Sequence, residues 1–157
     1  MSRLGIEVAV VRAVRPAVGA RYLRSVLTAA AGVPEVAARL PAGPSISLRL
    51  TGDRELRRLN REFLGEDSVT DVLSFPAGGD GEPGYLGDIA VSWPAVARQA
   101  AEHGHPEAAE AALLSVHGLL HLLGWDHATP AQEREMWRLT RAGLAAAGVS
   151  DLAPGRL

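Results

Sequence analysis

The sequence predicts one domain that combines helices with strands, and three observations predict it. The chain has 157 residues, the size of a single domain that buries about two-thirds of the surface its unfolded chain exposes. Four short strand-like runs, of which 45–50 alternates cleanly with the two-residue period of a strand, are interleaved with five longer segments of helical spacing or apolar helical character. No internal repeat divides the chain. Residues 1–150 therefore read as one domain, and 151–157 as a loose tail.

Each element has its own signal. Residues 6–11 form a short apolar run that suits a strand. Residues 18–31 place Val18, Tyr22, Val26, Ala29 and Ala30 at helical intervals and end at Gly32. After the punctuation of Pro41 and Pro44, residues 45–50 alternate, with Ile46, Leu48 and Leu50 on one side and Ser47 and Arg49 on the other; this predicts a half-buried strand. Residues 53–63 repeat apolar positions at Leu56, Leu59 and Phe63 with Arg57, Arg58 and Arg61 between them, the pattern of an amphipathic helix. The runs 69–75 and 86–92 are strand-like, and the Gly- and Pro-rich segment 76–84 between them reads as a loop. Ser92 is placed to cap a helix that starts at Trp93 and Pro94 and fades by Gly104. Residues 106–123 are apolar almost all round, which predicts a central buried helix, ending at Gly124. Thr129, Pro130 and Gln132 form a capping box that opens a last helix to about residue 147.

Composition narrows the function classes. At 47% hydrophobic and 22% charged residues the chain is an ordinary globular protein, with no apolar run of membrane-spanning length and no leader-like start. Cysteine is absent, which excludes disulfides and thiolate metal sites; the cytoplasm is the expected compartment. All 16 basic residues are Arg. Residues 1–64 hold 11 Arg against 5 acids (+6), and residues 65–157 hold 5 Arg against 13 acids (−8). Arginine clusters bind phosphates by charge and bidentate donation, although single Arg residues are usually solvated surface groups.

The chemistry concentrates where the buried helix ends. His117 and His121 are four residues apart; four residues turn a helix about 400° and rise about 6 Å, so both imidazoles leave one face. Gly124 lets the chain reverse, and His127 follows six residues after His121. Three neutral nitrogen ligands suit one zinc ion per chain, with nickel and iron(II) as alternative ions that also accept imidazole, and leave a fourth position for water, whose pKa bound zinc lowers to about 7. A lone His on an apolar helix is more often a packed core residue; two at this spacing each need a polar partner away from water, and the third makes a ligand set the better reading. His103 and His105, flanking Gly104, read as exposed loop residues. Zinc peptidases commonly carry His-Glu-x-x-His, with the Glu as general base; here that position is Gly118, which counts against peptide hydrolysis by that route.

His117-Gly118-Leu119-Leu120-His121-Leu122-Leu123-Gly124-Trp125-Asp126-His127 resembles the signature of the YbeY family of bacterial endoribonucleases and ribosomal RNA maturation factors. Leu59-Asn60, Thr70-Asp71-Val72-Leu73-Ser74-Phe75-Pro76 and Leu86-Gly87-Asp88-Ile89 agree with that family in order and spacing, so the resemblance covers roughly residues 45–145. It implies an α+β fold in which a small mixed sheet packs with about five helices around a zinc-peptidase-like core. It implies zinc at His117, His121 and His127, a single-stranded RNA substrate, and a role in maturing the 3′ end of small-subunit (16S) rRNA and in ribosome quality control. The implied partners are rRNA, the small ribosomal subunit and its assembly factors, with no role for DNA or membrane.

Under this resemblance Asp71 and Ser74 line one wall of the cleft and Asp88 supports the site from the sheet; the bland alternatives are a turn or strand-end cap for Asp71 and a surface carboxylate for Asp88. Asp126 either orients an imidazole or caps a helix. One departure matters: many members have Arg where Leu64 stands here, an Arg thought to help RNA cleavage. Arg61 is the candidate replacement, and Arg57 and Arg58 are candidate phosphate contacts. Two rival readings stand beside the endoribonuclease: a non-catalytic ribosome-assembly factor with a structural zinc, and a zinc peptidase.

Overall fold

In the computed structural model, residues 3–79 and 81–153 are described. The strand-like runs become β1 (Gly5–Val10), β2 (Ser45–Thr51), β3 (Val72–Pro76) and β4 (Tyr85–Ser92). The helical segments become α1 (Ala20–Ala31), α3 (Asp53–Leu64), α4 (Trp93–His103), α5 (Glu107–Leu122) and α6 (Pro130–Ala146), with an additional single turn, α2 (Pro34–Ala37), between α1 and β2. The expected α+β domain is what the chain forms. The strand order is β1-β2-β4-β3; β1, β2 and β4 run parallel, and β3 lies antiparallel at the edge beside β4.

Strand alternation assigns the two faces of the sheet. Ile46, Leu48 and Leu50 of β2 and Ile89 and Val91 of β4 are buried in the main core with α1, α5 and α6. On the opposite face, Leu56 and Leu59 of α3 cover Leu73, Phe75 and Ala90 in a smaller cluster. The whole β1–β2–β4 ladder thus presents one apolar side to a helical layer, and only its β3–β4 corner is covered on the other.

The central helix α5 follows from its composition: twelve of its sixteen residues are buried, because sheet, α1, α4 and α6 all pack against it. His117 and His121 are among the four that are not. Gly124, with φ 98°, adopts the left-handed backbone that a side chain disfavours and turns the chain away. The capping box of α6 is complete: Thr129 Oγ1 accepts from the Gln132 N–H at 3.1 Å, and Gln132 Oε1 accepts from the Thr129 N–H at 3.3 Å. Ser92 Oγ accepts from the Ala95 N–H and caps α4.

Three expectations need correction. The strand expected from Val69 begins at Val72; Val69 is exposed, and the Asp71 carboxylate accepts from the Val72 N–H where pairing starts. His103 is exposed, but His105 is buried, and its Nε2 lies 2.7 Å from Oε1 of the fully buried Glu110 on α5. The tail is held at its start: Leu152 packs on the core, and the Ala153 N–H donates to His105 Nδ1 at 3.1 Å. Residues 154–157 lie outside the described residues.

Candidate metal centre and cleft

The last turns of α5 project His117 and His121 from one face, and the reversal at Gly124 returns the chain so that His127 joins them. One ligand nitrogen from each of the three lies within 4.8 Å of the others, and the ring centroids are 5.0 to 6.4 Å apart. His117 and His121 are half-buried and His127 is exposed, so the cluster is supported from below and open above. Three imidazole donors on an open cluster fit one borderline-soft divalent cation with a free coordination position.

Burial pushes the His121 imidazole below its ordinary value near 6.5; the neighbouring His127 acts in the same direction, and Asp126 opposes both. The neutral ring is the metal-binding form, so His121 resists proton competition to a lower pH than an exposed imidazole. Bound metal, measured by equilibrium dialysis, is expected to be retained at neutral pH and to fall on acidification as protons compete for the imidazoles. Loss that begins well above neutrality would contradict this.

The cluster sits in a cleft of about 620 Å³ whose wall is strand β3 and whose floor is α5. Ser74 Oγ donates to the Gly118 carbonyl at 3.0 Å, tying the wall to the floor between the two helical histidines. The tryptophan of α6, Trp137, lies with its ring centroid 5.3 Å from that of His117. The same packing explains the missing glutamate. A Cβ on Gly118 would stand 2.7 Å from Ile89 Cγ2 in the sheet below, so the position that holds the general base in zinc peptidases is closed here by α5–β4 packing. Gly118→Ala is expected to lower stability by about 1–3 kcal/mol through overpacking and to weaken metal retention, checked by thermal unfolding with and without zinc.

The structure brings some of the sequence-derived residues together and separates others. Asp71, Ser74 and Asp126 line the cleft with the three histidines. Asp71 is anchored, accepting from the Val72 N–H at 2.8 Å and from Gln99 Nε2 at 3.2 Å. Asp126 Oδ1 accepts from the His127 N–H at 2.8 Å; it shapes the turn that delivers the third histidine. Leu64 also lines the cleft.

Asp88 does not reach the cleft. It is exposed on the other side of the sheet, where the Tyr85 hydroxyl donates to its carboxylate, in a second cavity, because neighbouring strand residues point to opposite faces. Arg57 pairs with Asp67, and Arg58 pairs with Glu55 and Glu62 beside that second cavity. Arg61 is exposed on α3 and is not part of the cleft lining. Among the described residues the cleft lining contains no arginine. Thr70, quoted above only as part of a motif, also lines it, and Trp137, which does too, escaped the sequence reading: it lies on a different helix from the histidine motif, and nothing in its local pattern distinguishes it from a core position.

Comparisons with known proteins agree with this architecture. The family model described as Endoribonuclease YbeY matches residues 16–148. A relative named Endoribonuclease YbeY from Chloroflexus aggregans is 48% identical over 122 residues, 72% of this chain and 80% of the relative. One of the same name from Rhodopseudomonas palustris is 41% identical over 137 residues, 84% of this chain and 70% of the relative. The solution structure of TM1509 from Thermotoga maritima shares the fold at a TM-score of 0.57 and 22% identity, covering 97% of this chain and 99% of that one. With a family match that spans β2 to β4, the α5 histidines and the capped α6, the chain belongs to the YbeY endoribonuclease family.

Proposed function

We propose that this chain is a zinc-dependent endoribonuclease that cuts single-stranded RNA at the centre formed by His117, His121 and His127, and that it acts in the cytoplasm on the 3′ end of small-subunit rRNA, with the small ribosomal subunit and its assembly factors as partners. The observation that carries the reading is the convergence of three imidazole donors in an open cleft in a chain of this family. Zinc held there supplies Lewis acidity toward a phosphoryl oxygen or a nucleophile at neutral pH.

The chain's own residues do the rest. The three histidines hold the ion as neutral donors, and Asp126 fixes the turn that presents His127. Ser74 locks the β3 wall to α5, while Asp71, clamped by Gln99, places a fixed acceptor in the cleft for a ribose hydroxyl. Leu64, Val72 and Trp137 give the cleft apolar edges against which bases lie and from which water is displaced. No peptidase reading is supported, since packing closes position 118 to a glutamate.

One observation favours the non-catalytic assembly factor as a second reading. Among the described residues, the charged residues of the cleft other than histidine are Asp71 and Asp126, an acidic setting for a phosphodiester. The deciding experiment incubates metal-quantified protein with small-subunit rRNA carrying an unprocessed 3′ end. Near one zinc per chain, cutting that stops on chelation and returns with zinc is the expected result. Zinc without cutting, even with small-subunit particles present, selects the assembly-factor reading.

A further inference from the structure

Among the described residues no arginine lines the cleft, yet an arginine-bearing surface adjoins it on the last helix. Arg134, Trp137, Arg138 and Arg141 of α6 follow i, i+3, i+4 and i+7 spacing and so share one helix face. Together with Pro130 and Glu133 they line a groove of about 600 Å³. Trp137 lines both this groove and the histidine cleft, so the two are continuous through its indole. Arg138 is committed to Glu35 and Glu135, at 2.9 and 2.6 Å. Arg134 and Arg141 are exposed and take part in no hydrogen bond or ion pair among the described residues.

We propose that this face of α6 is the path by which single-stranded RNA leaves the histidine cleft, with Arg134 and Arg141 on backbone phosphates to either side of a base that stacks on Trp137. The inference rests on the endoribonuclease reading for its substrate and adds the residues that hold it. Charge complementarity selects the occupant. Arg134 and Arg141 stand uncommitted beside Glu133 in the groove lining, with Arg138 already offset by Glu35 and Glu135; this pair suits a polyanion, and guanidinium groups match phosphate bidentately. An aromatic ring beside cations is the arrangement that binds unpaired bases without sequence preference. A protein partner would look for an apolar centre, and the apolar members of this groove are Pro130 and Trp137. The location also resolves the electrostatics of the cleft. The cleft's own carboxylates, Asp71 and Asp126, are engaged by Val72, Gln99 and His127, and α6 supplies the attraction for the strand about one helical turn to either side of Trp137.

The test is fluorescence anisotropy of zinc-loaded, full-length protein with a fluorescein-labelled oligouridylate over a series of KCl concentrations, run beside a cleavage assay. Arg134→Ala/Arg141→Ala is expected to weaken binding roughly tenfold and to make the dependence of log affinity on log salt shallower by about 1.4 for two lost single-strand phosphate contacts. Arg12→Ala/Arg21→Ala removes equal charge from exposed positions around β1 and α1 and is expected to leave the slope unchanged. Trp137→Ala is expected to cost about tenfold in affinity and Trp137→Phe to retain most of it, which separates stacking from loss of fold. Wild-type binding with the same affinity and slope in Arg134→Ala/Arg141→Ala overturns the inference and leaves the metal centre untouched. Binding that depends on Arg134 and Arg141 without any cleavage of small-subunit rRNA, even with small-subunit particles present, supports the inference and overturns the nuclease reading. Absence of RNA binding by the wild type overturns both.

Discussion

His117→Ala abolishes metal binding and RNA cleavage together while leaving the fold in place: that is the largest functional effect expected of a single substitution. The residue supplies one of three donors that lie within 4.8 Å of one another, and the two remaining imidazoles no longer enclose an ion. Loss of even an outer-layer support of a metal ligand costs 10- to 100-fold in affinity; loss of the ligand itself costs more, so metal content after dialysis should fall to background. The charge stabilisation that a bound ion provides is worth several kcal/mol of barrier, and each 1.36 kcal/mol is tenfold in rate, which sets the expected loss of cleavage at about a thousandfold. The fold survives because His117 is half-buried and faces the cleft, and Leu113, Leu114, Val116, Leu119 and Leu120 hold α5 in the core. Metal analysis, cleavage rate and circular dichroism on one preparation decide it. Retained metal and undiminished cutting would overturn the metal centre as the site of chemistry.

The largest stability effect belongs to a residue far from that chemistry. Glu110 is fully buried, and His105, also buried, lies 2.7 Å from its carboxylate. Because His105 Nδ1 accepts the Ala153 N–H, Nε2 carries the proton and donates to Glu110. The pair therefore joins the loop before α5, α5 itself and the chain after α6. Glu110→Ala leaves a buried imidazole N–H without its acceptor and opens a void, at a cost of about 3–5 kcal/mol, or a fall in Tm of roughly 10 °C for a domain of this size. Replacing both partners, His105→Leu with Glu110→Leu, is expected to recover part of that loss, because the buried imidazole and carboxylate are removed together and the Ala153 N–H is the group that loses its acceptor. A Tm for Glu110→Ala within a degree or two of wild type would show that the pair contributes nothing.

The same pair shows where local pattern stops being informative. His105 stands beside Gly104 and Pro106, and composition alone makes that a loop on the surface. Its burial depends on Glu110, five residues on, and on Ala153, forty-eight residues on, and no short window contains that contact. The turn α2 escaped notice for a different reason: its four residues are too few to show a period. Asp88 was legible as part of a motif but not as a member of one face; pairing register decides which way a strand residue points, and register is set by neighbours that lie far off in sequence.

What the sequence determined by itself is local and periodic. Alternation specified β2, all-round apolarity specified α5, the capping box specified the start of α6, and a four-residue interval put His117 and His121 on one side of a helix. These depend on backbone geometry that repeats every few residues. What only the tertiary structure decided is which groups meet across that geometry. It placed Leu64 in the cleft and turned Arg57 and Arg58 toward carboxylates elsewhere, closed position 118 with Ile89, and set Trp137 with the α6 arginines beside the histidines. The physical reason is that side-chain encounters follow from how helices and strands pack over one core, and that packing answers to the whole chain at once.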